Sequence, residues 1–103
     1  MRNEIQLKRM YNKFNQAYFD GKLPSDTSIY YDSVPCGYGD CDFVDGVFRI
    51  RIGPGVSGWT EVLKLTVLHE MIHVKIWPTK RHGIKFDKEV QRLMSFRELR
   101  KLI

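Results

Sequence analysis

Residues 59–78 read WTEVLKLTVLHEMIHVKIWP, and the fold of the whole chain turns on this stretch. Val62, Leu65, Leu68, Ile72 and Ile76 recur at three- and four-residue intervals, the spacing of one face of an α-helix. Thr60 can cap its start with Glu61 in the first turn, and Pro78, which has no N–H to continue the ladder, forbids extension past Trp77. The spacing predicts one long helix over Trp59–Trp77. His69 and His73 stand four apart on it, so they share a face one turn apart and both imidazoles can reach a single tetrahedral ion. Glu70 sits one step round the same helix, where its carboxylate can touch a water at that ion without being a ligand, as a general base must. His-Glu-x-x-His on a helix is the pattern with which zinc-dependent hydrolases hold their metal and activate water. Ordinary core histidines would explain His69 and His73 but leave Glu70 between them without a purpose, so metal binding is the expectation.

A catalytic zinc site keeps one position open and needs a third protein ligand. The chain has three histidines, and the last, His82, lies beyond Pro78 in the polar turn Thr79–Gly83, which can fold back beneath the helix. His82 is the leading third ligand, with Gly83 letting the backbone leave the site tightly and Phe86 anchoring the next helix against the core. Glu89, a carboxylate on that next helix, is the competing ligand.

Working outward, Leu7, Tyr11, Phe14 and Tyr18 form a helical stripe that predicts a first helix over Glu4–Phe19, ended by Asp20-Gly21. Ser28–Asp32 has the β-branched and aromatic character of a strand, and Gly37-Tyr38-Gly39 reads as a loop. Cys41–Ile52 reads as a hairpin turning at Asp45-Gly46, with Phe48, Ile50 and Ile52 on one face and Arg49 and Arg51 on the other. If this second strand lies at the sheet edge beside the metal, its unpaired backbone can receive a substrate peptide by strand addition. A last helix is predicted over Ile84–Leu102, with Phe86, Val90, Leu93 and Met94 toward the core.

With these residues in hand, His69-Glu70-Met71-Ile72-His73 followed by His82-Gly83-Ile84-Lys85-Phe86 resembles the SprT-like metalloprotease domain, which pairs HExxH with a downstream HGxxF. Phe14-Asn15-Gln16-Ala17-Tyr18-Phe19-Asp20-Gly21-Lys22-Leu23-Pro24 is similar to that family's opening helix and its F-x-G-x-L-P turn, and Gly37-Tyr38-Gly39-Asp40-Cys41 is similar, more weakly, to the stretch before its hairpin. The resemblance implies an α+β, zincin-like minimal domain with about three helices packed on a small, mainly antiparallel sheet. It implies a zinc peptidase with His69, His73 and His82 on Zn2+ and Glu70 as the catalytic residue. The family's best-known role is cleavage of proteins bound or crosslinked to DNA. No cysteine- or histidine-rich cluster follows Phe86, so the expected form is one without the C-terminal zinc ribbon of many members.

The chain's 103 residues, 43% of them hydrophobic, suit one domain over 1–103 with its own core. No long apolar span or signal peptide is read, and its two cysteines, Cys36 and Cys41, are expected as reduced thiols, which together point to a cytoplasmic, intracellular protein, nucleoid-associated if DNA is its partner. The net charge of +5 makes an acidic partner plausible, and Lys80, Arg81, Arg92, Arg97, Arg100 and Lys101 are the expected DNA-facing groups. The expected substrate is a protein or peptide bond, hydrolysed with Glu70 as the base; Tyr30, Tyr31, Tyr38 and Arg49 are unranked candidates for a second oxyanion donor. The rival reading is a non-catalytic basic binding module that keeps zinc for folding, for which Glu70 has no use.

Overall fold

The apolar stripe of the first helix is the simplest place to see sequence become packing. In the computed structural model, which describes residues 4–35, 37–56, 58 and 60–101, helix α1 spans Glu4–Tyr18 and buries Leu7, Tyr11, Phe14 and Tyr18. It stops because Asp20 and Gly21 turn left-handed, at φ 55° and 68°, a conformation open to glycine and tolerated by aspartate. Buried Asn15 then clamps the exiting chain. Its Nδ2 donates to the Leu23 carbonyl at 3.0 Å and its Oδ1 accepts the Leu23 N–H at 3.1 Å. Tyr11 donates to the Pro24 carbonyl at 2.7 Å, so two buried polar side chains satisfy backbone that no ladder serves.

Strands β1 (Ser28–Tyr31), β2 (Gly39–Val44) and β3 (Val47–Ile52) form a sheet in the order β1-β3-β2. The β2-β3 hairpin turns at Asp45 and Gly46, both at positive φ (53° and 80°), as the two-residue turn of matching twist requires. β1 runs parallel to β3, pairing Ser28 with Arg49 through Tyr31 with Ile52. The sheet is mixed, and the antiparallel pairing is the longer of its two. β3 is not its edge. Its alternating Ile50 and Ile52 are fully buried, and the strand with the strongest apolar alternation takes the centre, where both its edges are paired. Arg49 and Arg51 project to the other face and meet their antiparallel register partners, Asp42 and Asp40. Arg49 makes a two-pronged contact with Asp42 at 2.8 and 2.6 Å, and Arg51 grips Asp40 in the same way.

After a 3-10 turn at Pro54–Val56, helix α2 runs Thr60–Lys75; Trp59, at the expected start, lies outside the described residues. Ile76 and Trp77 continue only as turn, their N–H groups reaching Ile72 and Val74. The helix buries Leu63, Thr66, Val67, Leu68, Glu70, Met71, Ile72 and Val74, more of its circumference than one stripe, because it is packed between the sheet and α3 (Ile84–Met94). Of the predicted stripe, Val62, Leu65 and Ile76 are only half-buried.

The expected last helix is broken in two. Phe96 is extended (φ −83°, ψ 121°), its ring edge-on to Tyr18 with centroids 4.9 Å apart, and Ser95 caps α3 by donating its hydroxyl to Arg92 O at 2.6 Å. The short α4 (Arg97–Arg100) then inserts Leu99 into the core, while Met94, expected inside, is 39% exposed. The expected end at Leu102 lies outside the described residues.

Gly39, expected in a loop, opens β2 and sits where α2 crosses the sheet. A Cβ there would come within 2.9 Å of both the Arg51 carbonyl and Thr66 Cγ2, and 3.5 Å of Glu70 Cγ. Gly39→Ala should cost about 1–3 kcal/mol, the range for overpacking a filled site, read as a fall in the denaturation midpoint at unchanged slope; wild-type stability in the variant would show that α2 is free to move off the sheet.

Candidate metal centre

The last turns of α2 carry His69 and His73 on one face, and the turn after Trp77-Pro78, a cis peptide, brings back His82 from beyond the helix. The three Nε2 atoms form a near-equilateral triangle: His69 to His73 3.3 Å, His69 to His82 3.1 Å, His73 to His82 3.0 Å. Each imidazole nitrogen has one in-plane proton or one in-plane lone pair. Three such atoms in mutual contact cannot form a ring of good hydrogen bonds. They do match a tetrahedral ion, since nitrogens bound at about 2.0–2.1 Å stand about 3.3 Å apart. The donor set therefore fits a metal ion of the imidazole-seeking kind.

Electrostatics agree with the geometry. Burial, then the neighbouring His73 and His82 rings, pushes the His69 pKa down to about 4, and burial followed by His82 lowers that of His73. Both rings are thus held neutral, the form in which a lone pair is available. Beside them, Glu70 is buried, and burial reinforced by the Asp40 charge pushes its carboxyl up to about 7. Among the described residues nothing hydrogen-bonds that carboxylate, although it lines a cleft of about 680 Å³.

One wall of the cleft is residues 37–41, leading into β2; the other is α2 with its histidines, and Trp77 and Lys80 also line it. Trp77 is seated edge-on against Phe48 of β3, centroids 5.5 Å apart, with Lys80 Nζ over its ring at 5.2 Å. Of the four groups named as oxyanion donors, Tyr38 lines the cleft and Tyr30, Tyr31 and Arg49 do not. Cys41 lines it too, but burial first, then Glu70, pushes its thiol up to about 12, so it stays protonated; Cys36 lies outside the described residues.

Glu89 is not brought to the histidines. Its carboxylate is 2.9 Å from Lys75 Nζ and 3.0 Å from Arg92 Nε, an ion-pair cluster that pins α3 to α2. Arg92, expected on a DNA-facing surface, is turned inward instead, donating to the Tyr18 carbonyl at 2.6 Å with its guanidinium over Phe19. Arg81, Arg97, Arg100 and Lys101 are exposed. Sequence reasoning missed that Phe86 packs against all three imidazoles; its spacing of four from His82 was the one available signal.

No protein-family model matches the sequence, and no curated protein matches it. Solved structures with a similar fold include two metallopeptidase zymogens. One is the metallopeptidase zymogen of Methanocaldococcus jannaschii, jannalysin, at TM-score 0.64 and 23% identity, over 93% of this chain and 88% of that one. The other is the metallopeptidase zymogen of Pyrococcus abyssi, abylysin, at TM-score 0.65 and 16% identity, over 92% and 87%. The likeness is one of fold: an α+β arrangement with a small mixed sheet, shared with small metallopeptidases.

Purified protein stripped of metal should take up one zinc per chain. His82→Ala should weaken that binding by at least about tenfold, or about 1.4 kcal/mol, whereas Glu89→Gln should leave it within about twofold, by competition against a chromogenic chelator. The reverse order of effects would make Glu89 the third ligand.

Proposed function

We propose that this protein is a zinc-dependent peptidase of the SprT-like kind. The observation that carries the reading is the triangle of Nε2 atoms with Glu70 buried beside it at a cleft; the fold shared with small metallopeptidases supports it. His69, His73 and His82 would hold the ion, and all three line the cleft in which a substrate would meet it. Zinc so held supplies Lewis acidity, polarising a carbonyl oxygen and making a water molecule acidic near neutral pH.

The chain's own part is proton handling and alignment. Glu70 Oε takes the proton from the attacking water and returns it to the amine that leaves, so that one carboxylate serves both halves of the reaction. Burial, which raises the Glu70 pKa above the ordinary carboxylate range, suits the group to both acts. The substrate is aligned along the outer edge of β2. Among the described residues that strand pairs with β3 alone, and an edge so placed can accept an extended peptide by strand addition. β2 therefore takes the role first given to β3. Tyr38 is the candidate to donate to the developing oxyanion from the opposite wall.

The same reading extends to proteins associated with nucleic acid. Lys80 in the cleft and exposed Arg81, with Arg97, Arg100 and Lys101 around α4, are the groups available to phosphates. Arg92 is withdrawn from that set by its contacts with Tyr18, Phe19 and Glu89.

Glu70→Gln should retain one zinc per chain while cleavage of an unfolded protein substrate falls by about 100- to 10,000-fold, the usual span for loss of a general acid-base. Running the assay with and without single-stranded DNA tests the nucleic-acid extension. Turnover undiminished in Glu70→Gln would refute the peptidase mechanism, and full zinc occupancy without Glu70-dependent cleavage on any protein offered would favour the binding module.

A further inference from the structure

Histidines that hold metals are ordinarily oriented by a hydrogen bond from their second ring nitrogen to a carboxylate or carbonyl. None of the three imidazoles here has such a partner at Nδ1 among the described residues; their polar contacts are the Nε2 approaches to one another. What the rings share is Phe86. Its centroid lies 4.9 Å from that of His69, 5.3 Å from His73 and 4.3 Å from His82. The His82 contact is close to parallel, with 28° between the planes, whereas those to His69 and His73 are tilted by 57° and 40°.

The three histidines do not need this support equally. His69 and His73 are half-buried and fixed by the backbone of α2. His82 is exposed, on a stretch with neither helix nor strand, and a solvated side chain on such a turn samples several rotamers. Phe86, by contrast, is 8% exposed and sits in the first turn of α3, which is closed by the Asp87 N–H donating to the Gly83 carbonyl at 2.9 Å. It is a buried group on a helix, four residues from an exposed one on a turn, and its ring lies 4.3 Å from that of His82.

We propose that Phe86 is the positioning residue of the metal centre, holding the His82 ring by stacking in the orientation that hydrogen bonding supplies in other histidine sites. The inference rests on the metal-centre reading above. It makes the affinity of the site depend on an apolar side chain that never touches the ion. It also separates the downstream His-Gly-x-x-Phe segment into two working parts, His82 as ligand and Phe86 as its platform, with Gly83 between them.

The test is a double-mutant cycle on the full chain, reading zinc affinity by chelator competition for wild type, Phe86→Leu, His82→Ala and the double variant. Phe86→Leu should weaken zinc about 10–100-fold, the range for removing an orienting partner. In the His82→Ala background the same change should add no more than about twofold, because non-additivity marks residues acting through one another. Equal losses in both backgrounds would mean that Phe86 supports the core alone, and wild-type affinity in Phe86→Leu would overturn the proposal outright. A second measurement does not depend on the variant folding. In metal-free wild type the His82 ring protons should resonate upfield of free imidazole, from the ring current of an aromatic stacked at 4.3 Å; unshifted resonances would overturn the proposal. Absence of zinc binding in wild type would sink the metal reading and this one together, whereas wild-type binding with unshifted His82 protons would sink the Phe86 platform alone.

Discussion

The close approach of α2 to the sheet at Gly39 is the constraint on which the rest of the structure depends. With 2.9 Å between a hypothetical Cβ and both the Arg51 carbonyl and Thr66 Cγ2, the helix lies as near to the edge strand as a backbone without a side chain allows. That contact puts Glu70 against the start of β2 and opens the cleft between this edge and the histidine face of the helix. A helix lifted by even one methyl group would separate Glu70, the proposed acid-base group, from the strand proposed to align its substrate. Close-packed interiors transmit such a change rather than absorb it.

Charge is arranged around that contact with similar economy. Asp40 and Asp42 on β2 are each gripped by the arginine directly opposite on β3. Arg49, through its hydrogen bonds, lowers the Asp42 pKa. Among the described residues Glu70 has no such partner, and burial drives its carboxyl the other way, toward about 7. The same burial keeps His69 neutral. One desolvated face thus favours both the ligand form of its imidazoles and a carboxyl able to exchange a proton near neutrality. On the far side of α2, the Lys75–Glu89–Arg92 cluster fastens α3, and with it Phe86, against the histidine rings.

How much of this was legible in the chain depends on how local each feature is. The α1 stripe, the Asp45-Gly46 turn and the placing of His69 and His73 on one face follow from spacing within a few residues, and those parts stand where the periodicity predicts them. The readings that changed all involve partners distant in sequence. The condition under which β3 would receive a substrate, an edge position, is not met, because β1, more than fifteen residues earlier, pairs along its other side. The final helix was expected to be continuous and is broken where Phe96 meets Tyr18 of α1. Arg92 looked like one more surface cation until the Tyr18 carbonyl and Phe19 took it up.

By itself the sequence determined the chemical vocabulary of this protein: two imidazoles and a carboxylate on one helix, a third histidine after a proline turn, and the α+β class, since residue type and helical or strand period are properties of short segments. Only the tertiary structure decided that His82 rather than Glu89 joins the other two histidines, that β2 is the edge of the described sheet beside them, and that one phenylalanine packs against all three rings. The physical reason is that a distance of 3 Å between groups on separate elements is set by how whole faces pack. Local spacing places a side chain on a face, and packing alone decides what that face meets.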